Sequence, residues 1–162
     1  MPAATELYCQ VEVPKGAPVP RASVRDPEQV RQPELRCPAD WCHFPDTLAR
    51  QGTPLAAIVC ASEPGAPGRQ IAVRPIALLR THDVGGFEEI VVCVSLGDAA
   101  WKDVESIYEV PHELREEIER FATRKESRRR RVAIAGWLAQ EDAMTAIDNA
   151  AARWAATVNG RG

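Results

Sequence analysis

The stretch CPADWCHFPDTLARQGTPLAAIV, residues 37–59, holds the feature from which the fold can be read. Its tail is a G-x-P frame, Gly52-Thr53-Pro54, followed by the small-apolar run LAAIV at 55–59. Glycine supplies the turn and proline stiffens the exit. An apolar run of this kind, bounded by turn signals, reads as a continuous apolar strand. The predicted strand, LAAIVCAS over 55–62, is closed by the turn residues PGAPG.

Upstream, LYCQVEVP alternates Leu7, Cys9, Val11 and Val13 against Tyr8, Gln10 and Glu12, a half-buried strand ended by Pro14. Prolines at 18, 20, 27, 33 and 38 then oppose both a long helix and a central strand. An irregular excursion is expected there, with a short edge strand near 22–24. Downstream, QIAVRPIALLRTHD alternates and then runs apolar, Gly85 and Gly86 turn the chain, and EEIVVCVS returns as a partner strand. VPHELREEIERFATR predicts a helix with Pro111 near its start and Leu114, Ile118 and Phe121 on one face. VAIAGWLA reads as a short strand. QEDAMTAIDNAAARWAATV carries Met144, Ile147, Ala151 and Trp154 at helical spacing. The expectation is class α+β: a barrel or strongly bent antiparallel sheet with two flanking helices, a single domain over 1–162 with an ordered core at about 7–156.

The 162 residues carry a net charge of −3, so the surface as a whole has no nucleic-acid footprint. No basic region followed by an apolar run opens the chain, and no apolar stretch approaches the ~18 residues that cross a bilayer. A soluble, cytoplasmic protein is expected, without nucleic-acid or membrane partners. Five cysteines, an odd number, argue against a disulfide framework. Cys60 and Cys93 read as small core residues. The basic run RKESRRRR at 124–131 reads as a solvated helix end, its cations complementing the dipole of an acidic helix.

Taken in order, these segments resemble the soluble family I inorganic pyrophosphatases. VEVPKG resembles the family's opening strand with its glutamate, here Glu12. Residues 37–59 resemble the segment that runs from a Tyr-Pro through a second tyrosine to a D-G-D-P-x-D loop. The next hairpin is similar in its R-P step and following aspartate, and VPHELREEIERF and VAIAGW are similar to the first helix and the Gly-Trp strand. The resemblance spans about residues 7–156 and implies a small barrel, OB-like, with two helices, and a homo-oligomer.

The departures fall on residues that the resemblance makes chemical. In the family, aspartates hold several magnesium ions, which need hard oxygen ligands. Here Gln51, Thr53 and Ala56 stand at the three loop aspartates, Ile90 at a phosphate-contacting lysine, and Cys37 and Trp41 at the two tyrosines. Asp83 and Glu88 fall at two acidic positions, and the family's Tyr-Lys pair falls at Arg124-Lys125. Lys15, Arg21, Arg25 and Arg31 have no assignable family position.

An amide, a hydroxyl and a methyl cannot hold neighbouring divalent ions against their mutual repulsion. Three readings therefore stand at the level of sequence. The first is a metal-independent acid/base enzyme on a small organic molecule, in a biosynthetic pathway, with Glu12, Asp83 and Glu88 catalytic. Its ligand-binding set is Lys15, Cys37, Trp41, Cys42, His43, Gln51, Thr53, Ala56, Arg124 and Lys125, with no resident metal or cofactor beyond one weakly held divalent cation. Glu12 or Asp83, in an apolar pocket, would have a raised pKa suited to proton transfer. The second reading is a non-catalytic subunit that binds a ligand or a partner. The third is weak residual pyrophosphate hydrolysis. Cys37, Cys42 and His43 also offer three soft metal ligands, without a fourth or the usual spacing. Adjacent Cys42 and His43 on an extended segment point to opposite faces, which disfavours them as a nucleophile and base. His82 and His112 read as solvent-facing or helix-start residues, and Trp101 and Trp137 as packing.

Overall fold

The fold is given by a computed structural model that describes residues 6–19, 35–125 and 131–160. The expected edge strand at 22–24, Arg21, Arg25, Arg31 and most of the basic run lie outside the described residues.

Six strands follow in the order β1 (Leu7–Val13), β2 (Asp40–His43), β3 (Ala56–Cys60), β4 (Gln70–Asp83), β5 (Gly86–Ser95) and β6 (Ala133–Ala139). Helix α1 (His112–Arg124) precedes β6, and α2 (Gln140–Asn159) follows it. The sheet runs β1-β2-β3-β5-β4-β6, and a further β1–β4 pairing closes five of the strands into a ring. This is the expected small barrel with two helices. The sheet is not wholly antiparallel as expected: strand β3 is buried at every residue and lies parallel to β5, with Ala56 beside Ile90 and Cys60 beside Val94. A parallel strand covered on both faces calls for the unbroken apolar run seen in the sequence.

The 14-residue β4 is long enough to serve three neighbours: β1 along Gln70–Val73, β6 along Ala77–His82, and β5 over most of its length. Its register against β5 shifts between Pro75 and Ala77. Proline has no N–H for the ladder, so it belongs at such an irregularity, where the strand bends around the ring. The freed carbonyl of Pro75 accepts from the Gln140 side chain at 2.9 Å and ties α2 to the bend.

Alternate residues of the strands feed two cores. Ala57, Val59, Val91 and Cys93 pack with Ala143, Ala146, Ile147 and Ala150 of α2. Ala56, Ile58, Cys60, Ile90, Val92 and Val94 pack with Ile118, Phe121 and Ala122 of α1. Burying one large apolar side chain is worth ~1.5–3 kcal/mol, so these layers dominate stability. Helix α2 buries Ile147 of its helically spaced set, but Met144 and Trp154 are 37% and 38% exposed, and Ala151 is exposed. The alanine-rich stripe lets the helix approach β4 closely, and the larger side chains turn outward. Trp137 packs as expected, its Nε1 donating to Glu119 Oε1 at 2.6 Å, and Trp101 lies against the same core.

Between β3 and β4 the chain must pass close over the ring. A Cβ on Gly65 would meet Asp40 Oδ2 at 2.9 Å, Val11 at 3.0 Å and Ile71 at 3.1 Å. Only glycine fits without displacing its neighbours.

Candidate functional site

Strand pairing places the family-like positions on one side of the ring. His43 pairs with Ala56 across β2 and β3, Ala56 pairs with Ile90 across β3 and β5, and Trp41 pairs with Ile58. Ala56 and Ile90 are both buried in the core under α1, so this wall is apolar. Above it, the end of α1 delivers Lys125, whose side chain is only 9% exposed. Its Nζ lies 3.1 Å from Glu88 Oε1 and 5.3 Å from the centroid of the Trp41 ring. Trp41 is braced edge-on by Phe121 at 5.3 Å. Three elements, β2, β5 and α1, thus bring Trp41, Glu88 and Lys125 together.

Glu12 stands apart from this trio and is 46% exposed, with its Oε1 2.9 Å from His43 Nδ1. It therefore lies in water, not in the apolar pocket expected for it. Asp83 sits at the end of β4, where its Oδ1 accepts from the Gly85 N–H at 2.7 Å and shapes the hairpin turn. Gln51 and Thr53 are exposed on a loop turned by Gly52 at φ 91°, a backbone that favours glycine.

The remaining expected residues go elsewhere. Cys37 and Cys42 are buried in different cores, Cys37 under α1 and Cys42 under α2. Burial pushes the Cys37 thiol up to about 11, with Asp40 adding to the effect. Burial also drives the Cys42 thiol well up, so neither offers a thiolate at neutral pH. Lys15 lies at the other end of β2: its N–H donates to Asp40 Oδ1 at 2.8 Å, and its Nζ reaches the carbonyl of Ala61 at 3.5 Å. Arg124 is the last residue of α1. Among the described residues no three His, Cys, Asp or Glu side chains are grouped to hold a metal ion. No helix among them is long and apolar enough to cross a membrane.

Asp40 was not singled out in the sequence, yet it is 1% exposed and organises the far end of the ring. It accepts from the N–H of Lys15 and, through both oxygens, from the N–H of Gly65 at 3.0 and 3.1 Å. Nothing in its spacing distinguishes it from a surface aspartate, because its partners are backbone groups.

A five-strand ring flanked by two helices, with a lysine and an acid facing each other over a buried wall, has the build of a soluble pyrophosphatase barrel. The comparisons agree. The family model described as inorganic pyrophosphatase matches residues 10–155. An inorganic pyrophosphatase of Methanosarcina mazei is 40% identical over 118 residues, 72% of this chain and 70% of the relative. That of Methanosarcina acetivorans is 38% identical over the same length and shares. The crystal structure of the inorganic pyrophosphatase from Thermus thermophilus aligns with a TM-score of 0.77 at 25% identity, covering 95% of this chain and 94% of that one. The chain belongs to the inorganic pyrophosphatase family.

Membership corrects three expectations. Relatives this similar, over most of the chain, are inorganic pyrophosphatases, which overturns the reading as an acid/base enzyme on another organic molecule in biosynthesis. The non-catalytic reading falls for the same reason. The expectation of a metal-independent protein without cofactors conflicts with a family that works with magnesium.

Proposed function

We propose that the chain hydrolyses inorganic pyrophosphate at the face bounded by Trp41, Glu88 and Lys125. The observation that carries this reading is the Lys125 ammonium, nearly buried, paired with Glu88 and set over an apolar wall, in a chain that matches the family along 10–155. A cation partly withdrawn from water binds a phosphate oxygen far more strongly than one in solvent. Lys125 exchanges Glu88 for a phosphate oxygen when pyrophosphate arrives, and Trp41 keeps the ammonium over its ring as it does so. Ala56 and Ile90 keep water from the wall and so preserve the low dielectric around that contact.

Among the described residues no three carboxylate, imidazole or thiol groups are clustered, and the three loop positions carry no carboxylate. Asp83 and Glu88, the acids at positions that the resemblance makes metal-binding, would supply hard oxygen to one cation completed by water and substrate oxygens, the usual manner of magnesium. A magnesium ion so held supplies charge neutralisation for the phosphates and a more acidic water. The family's habit of forming homo-oligomers is carried over with the same reading.

The test is release of orthophosphate from pyrophosphate by the full chain with magnesium. Turnover of ~1–1000 per second is expected. Failure to exceed background with magnesium, manganese or zinc would overturn the proposal.

A further inference from the structure

The opposite face of the β4–β5 hairpin carries a cleft away from Trp41, Glu88 and Lys125. Its volume is about 300 Å³, and its walls include Arg50 and Gln51 from the loop before β3, Arg80 and Phe87 from the hairpin, and Asn149 and Arg153 from α2. Successive residues of a strand point to opposite faces. Glu88 accordingly reaches Lys125, whereas Glu89 reaches Arg80 at 3.1 Å along the cleft. The two sites are back to back on β5.

The charges of the cleft do not cancel. Glu89 offsets Arg80. Arg153 donates from Nη1 to the carbonyl of Leu48 at 3.1 Å, a bond that leaves its charge uncompensated. Arg50 makes no ion pair or hydrogen bond among the described residues. Asp142 also lines the cleft, but it sits in the first turn of α2, where the helix N-terminus already favours a carboxylate. Beside the arginines, Phe87 is 57% exposed. The Arg80 guanidinium lies 5.9 Å from the centre of its ring, and His82 meets it edge-on at 6.0 Å. The ring is held in place yet open to solvent.

We propose that this cleft binds a planar organic phosphate of nucleoside monophosphate size. Guanidinium forks match phosphoryl oxygens in geometry as well as charge, which Arg50 and Arg153 supply. Phe87 offers a stacking surface for a base, and the Gln51 and Asn149 amides can both donate to and accept from its edge. The volume lies at the small end of ligand sites and admits one such molecule, not a polymer.

Isothermal titration of the full chain with AMP in metal-free buffer tests this, with adenosine and ribose 5-phosphate as partial ligands. Saturable binding with a Kd below ~1 mM is expected, with both partial ligands weaker. Arg50→Gln and Arg153→Gln should each weaken AMP binding about tenfold, and Phe87→Ser by a similar factor. Arg50 makes no ion pair or hydrogen bond among the described residues, so its variant reports on binding even if Arg153→Gln disturbs the Leu48 loop. Lys125→Met, on the opposite face, should bind AMP as the unaltered chain does. The proposal is overturned if AMP does not saturate by ~10 mM. It also fails if both arginine variants bind normally, if ribose 5-phosphate matches AMP, or if Lys125→Met abolishes binding.

Discussion

At one end of β2 and β3 the carboxylates are taken up by backbone. Asp40 accepts from the N–H groups of Lys15 and Gly65, and nearby Asp98 accepts from Ser62 and Ala100. The Ser62 N–H, then that of Ala100, hold the Asp98 carboxyl below the usual carboxylate range even though burial opposes them. At the other end, Glu88 and Glu12 face side chains instead, Lys125 and His43. A carboxylate bound to backbone fixes the position of two segments and cannot be released without moving them. A carboxylate bound to a side chain can be exchanged for a ligand. The difference separates the structural end of the ring from the chemical end.

Replacing Asp40 should produce the largest loss of stability. Asp40→Ala strands two part-buried N–H donors that now bond a charged acceptor, at ~1.5–3 kcal/mol each; partial access of water to both keeps the expected loss near the lower sum, about 3 kcal/mol. For a chain of this size that lowers Tm by roughly 6–12 °C, readable by calorimetry. Pyrophosphate turnover measured at low temperature should survive. If turnover disappears while the variant is still folded, the division between the two ends is wrong.

Lys125→Met should invert that pattern. Removing one preorganised charge from a developing phosphate typically costs ~100-fold in turnover. Stability should change by only about 1 kcal/mol, since Glu88 retains access to water and the thioether can still cover Trp41. Phosphate-release kinetics together with a urea titration distinguish a chemical from a structural role.

The buried thiols near the structural end make stability depend on pH. Burial, reinforced by Asp40, raises Cys37 from 9.0 to about 11. Burial raises Cys60 to about 12, with Lys15 opposing and Asp40 adding. Below pH 9 both folded and unfolded chains keep these protons, so stability is level. Above it the unfolded chain loses them first, the folded chain binds more protons, and stability falls as pH rises through 11. Urea midpoints taken from pH 8 to 11 should decline, and Cys37→Ala with Cys60→Ala should reduce the slope.

How far the sequence could be read follows the same division. Strands β1, β3, β4 and β5 announce themselves because alternation and unbroken apolar runs survive any change of function. Strand β2 does not, since four residues with Trp41 and His43 turned to the chemical end leave no pattern. Of the helically spaced set on α2, Ile147 is buried and Trp154 is not, because small alanines fill the close approach to β4. Trp41, Glu88 and Lys125 were found only through family resemblance, as three separate elements bring them together. The Phe87 cleft escaped notice because its arginines lie on a loop, a strand and a helix with no common spacing.

The smallest effect should come from Glu12. Its pair with His43 at 2.9 Å is geometrically sound, but Glu12 is 46% exposed and water competes for both groups. Exposed ion pairs contribute ~0.2–1 kcal/mol, and a glutamine keeps an oxygen that can accept from His43. Glu12→Gln should therefore shift stability by less than ~0.5 kcal/mol, with a urea midpoint close to that of the unaltered chain. A loss as large as that of Asp40→Ala would mean that Glu12 is held as a structural group. The contrast between backbone-bound and side-chain-bound carboxylates would then not separate framework from chemistry in this ring.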